Sequence, residues 1–345
     1  MANPRVVLYG AGHFGQRVTR FAVENGWPIV AAFNRAGEKV GKDLGRLAGL
    51  DRDLGVVVQD CDLADIGSVD AEIGIVGITD RLSANITAYK RLMNAGMNVI
   101  CHGSESYFPH GVDTALAREI DDVARKNGVT FTGSKIWDHT RTWPAIVLVG
   151  ACTRINSLFH RSITDAQQVG RPAMLKTGVG MTASEYDEKI GRVEGQIGGF
   201  YKLIPHSVLD ALGYTVTKVV ERREPMFFDE PIHCELLQRD IEPGICIGTR
   251  VVIEADTEEG VTATSHIELR LVKEGEKPHM MWSVDGTPSS KITFERESED
   301  AAYGTLSCLF NRIQDVIDAP PGIQDVSKLG VMKHSALGQR GKRHT

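Results

Sequence analysis

Two architectures are predicted along this chain. Residues 1–144 read as a doubly wound parallel α/β sheet, and residues 145–300 as an α+β domain with a mainly antiparallel sheet; a helix and tail at 301–345 return to the first domain. Three observations carry the prediction. A glycine turn, Gly10-Ala11-Gly12-His13-Phe14-Gly15, stands between an apolar strand and a helix. Apolar runs then alternate with helical patterns as far as residue 133, as βαβ units do. After about residue 145 the texture turns to two-residue alternation and hairpin signals.

The elements follow in order. Val6-Val7-Leu8-Tyr9 is the first strand, and Gln16 to Asn25 the first helix. Pro28 to Phe33 is the second strand, Val56-Val57-Val58 a short third, and Ile73 to Ile78 the fourth. Ser83 to Ala95 is helical and stops at Gly96; Asn98 to Cys101 is a strand; Asp113 to Asn127 is helical with Gly128 beyond it; Val129 to Thr132 is the next strand. In the second domain, Ala145 to Cys152 reads as helix and Asn156 to Thr164 as strand. Residues 165–200 are mixed and glycine-rich, with Gly195, Gly198 and a loop at Arg171-Pro172; Ile204 to Leu212 is a helix ending at Gly213. Thr215 to Arg223 alternates, with Arg222-Arg223-Glu224 as a solvated strand end. Residues 251–255 and 263–272 flank Glu258-Glu259-Gly260 as a hairpin. There His266, Glu268 and Arg270 alternate with Ile267, Leu269 and Leu271, one wet face and one buried, and His160-Arg161 are expected as exposed strand charges. Asp285-Gly286 signals a second hairpin, between Met281–Val284 and Lys291–Phe294. Ala301 to Ile317 is an amphipathic helix stopped by Pro320-Pro321-Gly322, and the basic tail from Gly338 is expected to fray.

Composition narrows the function. Hydrophobic residues make up 42% and charged residues 24%, an ordinary globular balance. A net charge of -6 argues against nucleic acid as a partner. There is no apolar run of about 18 residues to span a membrane, and Met1-Ala2-Asn3-Pro4-Arg5 does not open a signal peptide. Six scattered cysteines form no C-x-x-C pair, so neither a metal site nor a disulfide framework is expected, and a cytoplasmic setting is.

The glycine turn has the G-x-G-x-x-G pattern of Rossmann-type dinucleotide binding. Gly10 permits the tight turn, Gly12 admits a pyrophosphate, and Gly15 lets helix pack on strand; His13 and Phe14 lie within the turn, at the helix N-terminus that would receive the phosphates. After the second strand, where an NAD site commonly carries an acid, this chain has Asn34-Arg35. A guanidinium suits a 2′-phosphate, and Lys39 and Lys42 add charge, so NADP is favoured with NAD possible; in the alternative Arg35 is a solvated turn residue and Asn34 serves the ribose of either cofactor. Ligands bind where strands end, so the chemistry is sought at 10–15, 34–35, 79–81 (beginning with Thr79), 102–110 and 133–143.

Three stretches are more particular: Val7 to Gly15, Lys39-Val40-Gly41-Lys42-Asp43-Leu44-Gly45-Arg46-Leu47-Ala48-Gly49-Leu50, and Gly96-Met97-Asn98-Val99-Ile100 followed by Gly103-Ser104-Glu105-Ser106-Tyr107-Phe108-Pro109. Ala319-Pro320-Pro321-Gly322-Ile323 is a weaker echo. Together they resemble the amine dehydrogenase and 2,4-diaminopentanoate dehydrogenase family, whose cofactor domain is like that of dihydrodipicolinate reductase. The resemblance implies NAD(P)-dependent oxidative deamination of an amine or amino acid, or reductive amination of its carbonyl with ammonium, in a homodimer formed through the second domain's sheet. It also implies that Glu105 is the active-site glutamate, acting as base or iminium stabiliser. The alternative for Glu105 is a loop carboxylate capping the helix after Pro109.

One stretch departs from the family. Where it reads G-T-G-x-x-P-G, this chain reads Gly133-Ser134-Lys135-Ile136-Trp137-Asp138-His139-Thr140-Arg141-Thr142-Trp143. The bulk and charge of Trp137, Asp138 and Trp143 suggest a larger or charged substrate, with Arg141 holding a carboxylate and Lys135 or His139 donating a proton. An ion-paired hinge, Lys135 with Asp138, is the structural alternative. His206 either lines the cleft or caps its helix, and Met280-Met281 read as core. Three other functions stay open: a cyclic imine or C=C reductase, although the H-H-x-x-K-x-D-x-P-S-G-T signature is not found; a carbonyl or alcohol oxidoreductase using Lys135 or His139; and a non-catalytic NADP-binding sensor.

Overall fold

Strand β1 (Val6–Tyr9) is buried along its whole length because it lies inside a parallel sheet covered on both faces. The computed structural model describes residues 3–191, 199–295 and 301–335, and the chain divides into two units, Met1–His139 with Asp300–Thr345, and Thr140–Glu299. Met1, Ala2, Gly195, Gly198 and the tail from Gly338 lie outside the described residues.

In the first unit β1 is followed by α1 (His13–Glu24), β2 (Ile29–Asn34), α2 (Leu44–Leu47), β3 (Val58–Asp60), β4 (Ile73–Val76), α3 (Leu82–Asn94), β5 (Asn98–Cys101), α4 (Thr114–Lys126) and β6 (Thr130–Gly133). Helix α1 starts at His13, three residues before the position read from the apolar spacing. Its N-cap is a glycine with no side-chain cap, so the sequence carries no marker of the start. Asp113 caps α4 by accepting from Ala115 N (2.9 Å) and Leu116 N (3.0 Å).

Counting from the edge nearest β6, strand order runs β6-β5-β4-β1-β2-β3, and the order reverses between β1 and β4. That reversal opens a crevice at the strands' carboxyl ends. One further strand was not foreseen. In chain order it is the last, β15, and only Gly322 and Ile323 form it, pairing in parallel with Thr130 and Phe131 of β6. Two residues after Pro320-Pro321 are too few for a period to show. The long helix before it, Ala301–Asp318, lays Leu306, Leu309, Phe310, Ile313 and Val316 into the same core as Val6, Leu8 and Phe21.

The second unit comprises α5 (Trp143–Val149), β7 (Arg154–Asp165), α6 (Arg171–Leu175), α7 (Ala183–Tyr186), α8 (Leu203–Ala211), β8 (Val216–Met226), β9 (Ile232–Cys234), β10 (Arg239–Ile241), β11 (Gly248–Thr257), β12 (Thr262–Arg270), β13 (His279–Thr287) and β14 (Ser290–Glu295); the Ala301–Asp318 helix of the first unit is then α9. Its six-stranded sheet runs β14-β13-β7-β12-β11-β8, antiparallel except for the central β7–β12 pair. The β11–β12 hairpin forms as read. Asp285-Gly286, however, is not a turn: both residues lie within β13, at a bulge against β7, and the chain reverses around Pro288-Ser289.

The wet face assigned to β12 also needs correction. Glu268 and Arg270 are buried, as is His160 on β7. Glu268 is enclosed by guanidiniums, accepting from Arg161 Nε (3.0 Å), Arg250 Nε (3.2 Å) and Arg270 Nε (3.0 Å). Burial raises its carboxyl, but these partners outweigh burial and hold it below the usual range. His160 Nδ1 instead meets the Ser265 hydroxyl at 2.7 Å. The Arg223 side chain is 5% exposed and pairs with Glu221, while its neighbour Arg222 is exposed.

If α9 completes the first unit's core, Phe310→Ala should lower stability by about 3–5 kcal/mol, because Phe310 stacks on Phe21 at 5.0 Å and meets Trp27 at 5.3 Å. Urea unfolding followed by circular dichroism checks it; a loss under about 1 kcal/mol would mean that α9 is peripheral.

Candidate active site

The crevice begins at the glycine turn. Gly10 has φ +107°, and a Cβ there would stand 3.0 Å from the Gly77 carbonyl oxygen. A Cβ on Gly15 would come within 2.0 Å of the Gly10 carbonyl oxygen. The protein's own packing therefore requires both. Gly12 differs: its φ is an ordinary -75°, and a Cβ there would meet nothing within 4 Å. The space above Gly12 opens toward the uncapped N-terminus of α1, where N–H groups and the helix dipole favour an anion.

A cleft of about 630 Å³ continues from this turn, lined by Gly10, Gly12, Asn34, Arg35, Lys39 and Thr79 among others. Asn34 ties its two walls: its Oδ1 accepts from Ala11 N at 3.1 Å and its Nδ2 donates to the Arg35 carbonyl at 2.9 Å. Asp43 organises the loop that carries Lys39. Its carboxylate accepts from the amides of Gly45 (2.8 Å), Leu54 (3.0 Å) and Gly55 (2.9 Å). Burial raises this carboxyl, yet the amides prevail and keep it low. A Cβ on Gly45 would stand 2.6 Å from the Arg52 carbonyl oxygen, which gives the K-V-G-K-D-L-G run a packing reason. Deeper in the cleft, Arg91 donates to Tyr9 Oη (2.9 Å) and to Asp62 (2.6 Å). These residues fit a dinucleotide: an open glycine and a helix N-terminus for the pyrophosphate, Asn34 beside the ribose position, and two cations, Arg35 just after β2 and Lys39 in the loop beyond it.

A second polar group gathers at the ends of β4, β5 and β6. His102 stacks on Phe14, centroids 3.7 Å apart and 10° from parallel, and its Nδ1 meets the Val76 carbonyl. Burial pushes this imidazole down to about 4, so it is neutral near pH 7. Asp80 accepts from both the amide (2.9 Å) and the hydroxyl (2.6 Å) of Ser104, and Lys135 Nζ reaches that same hydroxyl at 2.5 Å. The Lys135 ammonium also lies 3.9 Å over the Trp137 ring. Burial raises the Asp80 carboxyl, while Ser104 and the Lys135 charge bring it below the usual range.

Glu105 stands beside this group. Its Oε2 accepts from Leu82 N (2.8 Å) and its Oε1 from Arg81 (3.2 Å). It thus caps α3, not the helix after Pro109, which Asp113 caps. The expected Lys135–Asp138 ion pair does not form: only the Lys135 backbone N–H reaches Asp138, at 3.2 Å. Asp138 is fully buried, accepting from the Ser134 hydroxyl (2.6 Å) with Arg312 Nε 3.8 Å away. Burial pushes its carboxyl up to about 6, against the pull of Ser134 and Arg312. Asp138, expected on a pocket wall, is thus enclosed within the first unit. His139 is exposed at the end of the first unit. Arg141, Trp143 and His206 belong to the second unit, where Arg141 is buried over the Tyr201 ring and burial lowers the half-buried His206. Sequence reasoning missed Asp80, His102 and Ser104, though all three lie in strand-end segments where chemistry was sought; no spacing ties residue 80 to 104 and 135.

Comparison with known proteins adds the following. The family model of the 2,4-diaminopentanoate dehydrogenase C-terminal domain matches residues 144–344. The 2,4-diaminopentanoate dehydrogenase of Acetoanaerobium sticklandii is 23% identical over 255 residues, covering 70% of this chain and 69% of that protein. The structure of an amine dehydrogenase from Mycobacterium smegmatis is 27% identical, covers 97% of this chain and 98% of its own, and superposes with a TM-score of 0.76. An oxidoreductase from Agrobacterium radiobacter, solved with NAD+, L-tartaric acid and magnesium, shares the fold at 13% identity and a TM-score of 0.58, covering 98% and 95% of the two chains.

Two predictions follow from the site's packing. Gly15→Ala should destabilise the protein by about 1–3 kcal/mol, whereas Gly12→Ala should leave stability within about 0.5 kcal/mol and lower affinity for a nicotinamide dinucleotide about tenfold or more; melting curves and fluorescence titration with NADH and NADPH separate the two, and equal affinities in wild type and Gly12→Ala would remove Gly12 from the cradle. The Asp138 carboxyl is raised in the folded state, so the native protein binds the extra proton between about pH 4 and 6. Stability from this group should therefore fall as pH rises through that window, by about 2–3 kcal/mol. Comparing the pH dependence of urea unfolding in Asp138→Asn and wild type tests it, and identical slopes would contradict the assignment.

Proposed function

Because the chain belongs to the family of the 2,4-diaminopentanoate dehydrogenase C-terminal domain, we propose that it is a nicotinamide-dependent oxidoreductase acting on a C–N bond. The substrate class is an amine or amino acid, or the corresponding carbonyl with ammonium, in keeping with the names of the relatives. The observation that carries the cofactor half is Gly12, whose missing side chain the protein itself does not need and whose open space faces the cleft. When bound, a nicotinamide cofactor supplies hydride transfer at C4.

The chain's residues do the rest. The α1 N-terminus and the Gly12 backbone hold the pyrophosphate, and Asn34 meets the adenosine ribose. Arg35 and Lys39 receive a 2′-phosphate, which makes NADP the preferred cofactor; β2 ends without an acid, and Asp62, which lines the same cleft beyond β3, is engaged by Arg91. Phe14 and His102 form a flat neutral wall at the ends of β4 and β5. Glu105 acts as base or stabilises the iminium cation. A carboxylate has about four acceptor sites, so its contacts to Leu82 and Arg81 leave it capacity for a substrate proton. The six free cysteines suit a reducing cytoplasm, and a homodimer through the second unit's sheet belongs to the same reading.

A second reading, a carbonyl oxidoreductase with Lys135 as proton donor, is favoured by the Lys135–Ser104 contact. Ammonium separates the two. NADPH absorbance followed against ketones, keto acids and cyclic imines should fall only when a carbonyl and ammonium are both present. Oxidation indifferent to ammonium would favour the second reading or an imine reductase, and cofactor binding without turnover on any substrate would favour a sensor. For the 2′-phosphate, Arg35→Ala and Lys39→Ala should each weaken NADPH about tenfold while changing NADH less than about twofold; equal losses for both cofactors would remove the role.

A further inference from the structure

Three strand ends meet at one hydrogen-bonded chain, and glycines bring them there. A Cβ on Gly103 would stand 2.8 Å from the Thr79 carbonyl oxygen, so the turn after β5 lies directly against the turn after β4. A Cβ on Gly133 would stand 2.1 Å from the Ser106 carbonyl oxygen, so the end of β6 lies against the same turn. Asp80, Ser104 and Lys135 are the polar side chains placed across these two contacts.

Their hydrogen bonds have a direction. An ammonium can only donate and a carboxylate can only accept. The single Ser104 hydroxyl proton therefore goes to Asp80 Oδ1 (2.6 Å), and its oxygen accepts from Lys135 Nζ (2.5 Å). Ser104 is buried, 1% exposed, whereas Asp80 is exposed. The chain thus runs from an ammonium held over the Trp137 ring, through a hydroxyl cut off from water, to a carboxylate in contact with water.

We propose that Lys135, Ser104 and Asp80 form a proton relay between the carboxyl ends of β5 and β6 and solvent, with Lys135 as the group that exchanges a proton with the substrate heteroatom. The relay rests on the oxidoreductase reading above. In the reductive direction the substrate carbon receives hydride, with both electrons, from the reduced nicotinamide. The substrate nitrogen or oxygen forms its new N–H or O–H bond as an N–H bond of Lys135 breaks. The Lys135 amine recovers its proton from Ser104 Oγ, Ser104 from the Asp80 carboxyl, and Asp80 from water, so all three end as they began. In the oxidative direction every transfer reverses. Among the described residues, the titratable groups near the relay include His102, which is neutral, the buried Cys101 thiol, Glu105 with Arg81, and Asp138, which accepts from the Ser134 hydroxyl and the Lys135 backbone N–H.

The test uses the full-length protein in four variants: Lys135→Met, Lys135→Arg, Ser104→Ala and Asp80→Asn. Without cofactor or substrate, acetylation of Lys135 by acetic anhydride is read by mass spectrometry from pH 6 to 11. Asp80→Asn should shift the labelling curve to lower pH, because the anion favouring the ammonium is gone. In turnover, Lys135→Met and Lys135→Arg should both lose about 10²–10⁴ in kcat, with NADPH affinity within about twofold of wild type. Ser104→Ala should lose about tenfold or more and change the solvent isotope effect. Lys135→Arg within about threefold of wild type would show that charge alone suffices and overturn the relay. An unmoved labelling curve in both Asp80→Asn and Ser104→Ala would overturn it without any assay of activity. Wild type that turns over while Lys135→Met matches it removes the relay alone; wild type without turnover on any substrate removes the relay and the functional reading together.

Discussion

The approach of helix α1 to the Gly10 carbonyl is the contact on which the first unit depends. With only about 2.0 Å available to a Cβ at Gly15, no side chain can stand there. The helix is thereby set down on β1 with its uncapped N-terminus directed into the crevice where strand order reverses. Everything useful in the cleft is measured from that seat. Asn34 reaches back to Ala11 across it, Phe14 meets His102 from it, and Gly77 closes under Phe14 with 3.3 Å to spare for a Cβ. Close backbone contact recurs at Gly45, Gly103 and Gly133, each time joining two loops that carry polar side chains.

Buried charge is handled differently in the two units. In the second, Glu268 is surrounded by three arginines, and a carboxylate so compensated is costly to disturb but inert. In the first, Asp138 meets Arg312 only at 3.8 Å and its carboxyl is raised. The arrangement proposed as the relay is neither of these. Asp80 keeps one side in water, and Lys135 lies against an aromatic face and a hydroxyl rather than a buried carboxylate.

Local signals in the chain were legible, and tertiary ones were not. The glycine turn, the alternation of strands with helices and the Glu258-Glu259-Gly260 hairpin depend on neighbours in sequence and emerge in the fold as read. Glu105 follows the end of β5, but its cap partner Leu82 lies 23 residues away, beyond any capping pattern. The alternation of Glu268 and Arg270 with apolar residues does mark two faces. It could not disclose that arginines from β7 and β11 cover the charged one. Asp80 and Ser104 are ordinary residues in composition, and only the Gly103 contact makes them partners. The departure at Lys135–Trp143 was visible as a change of residue type, yet its division between a buried carboxyl at Asp138 and an engaged lysine required the fold.

On the proposed reading, one face of the first unit, from the glycine turn to Lys135, holds a nicotinamide dinucleotide in reacting position. A crystal structure of the protein with NADP+ tests it most directly. The pyrophosphate should lie on the α1 N-terminus above Gly12, the 2′-phosphate between Arg35 and Lys39, and the nicotinamide ring at the ends of β4 and β5 beside Phe14 and His102, facing Lys135. A dinucleotide bound away from Gly12, or with its nicotinamide directed away from the Asp80–Ser104–Lys135 chain, would contradict it.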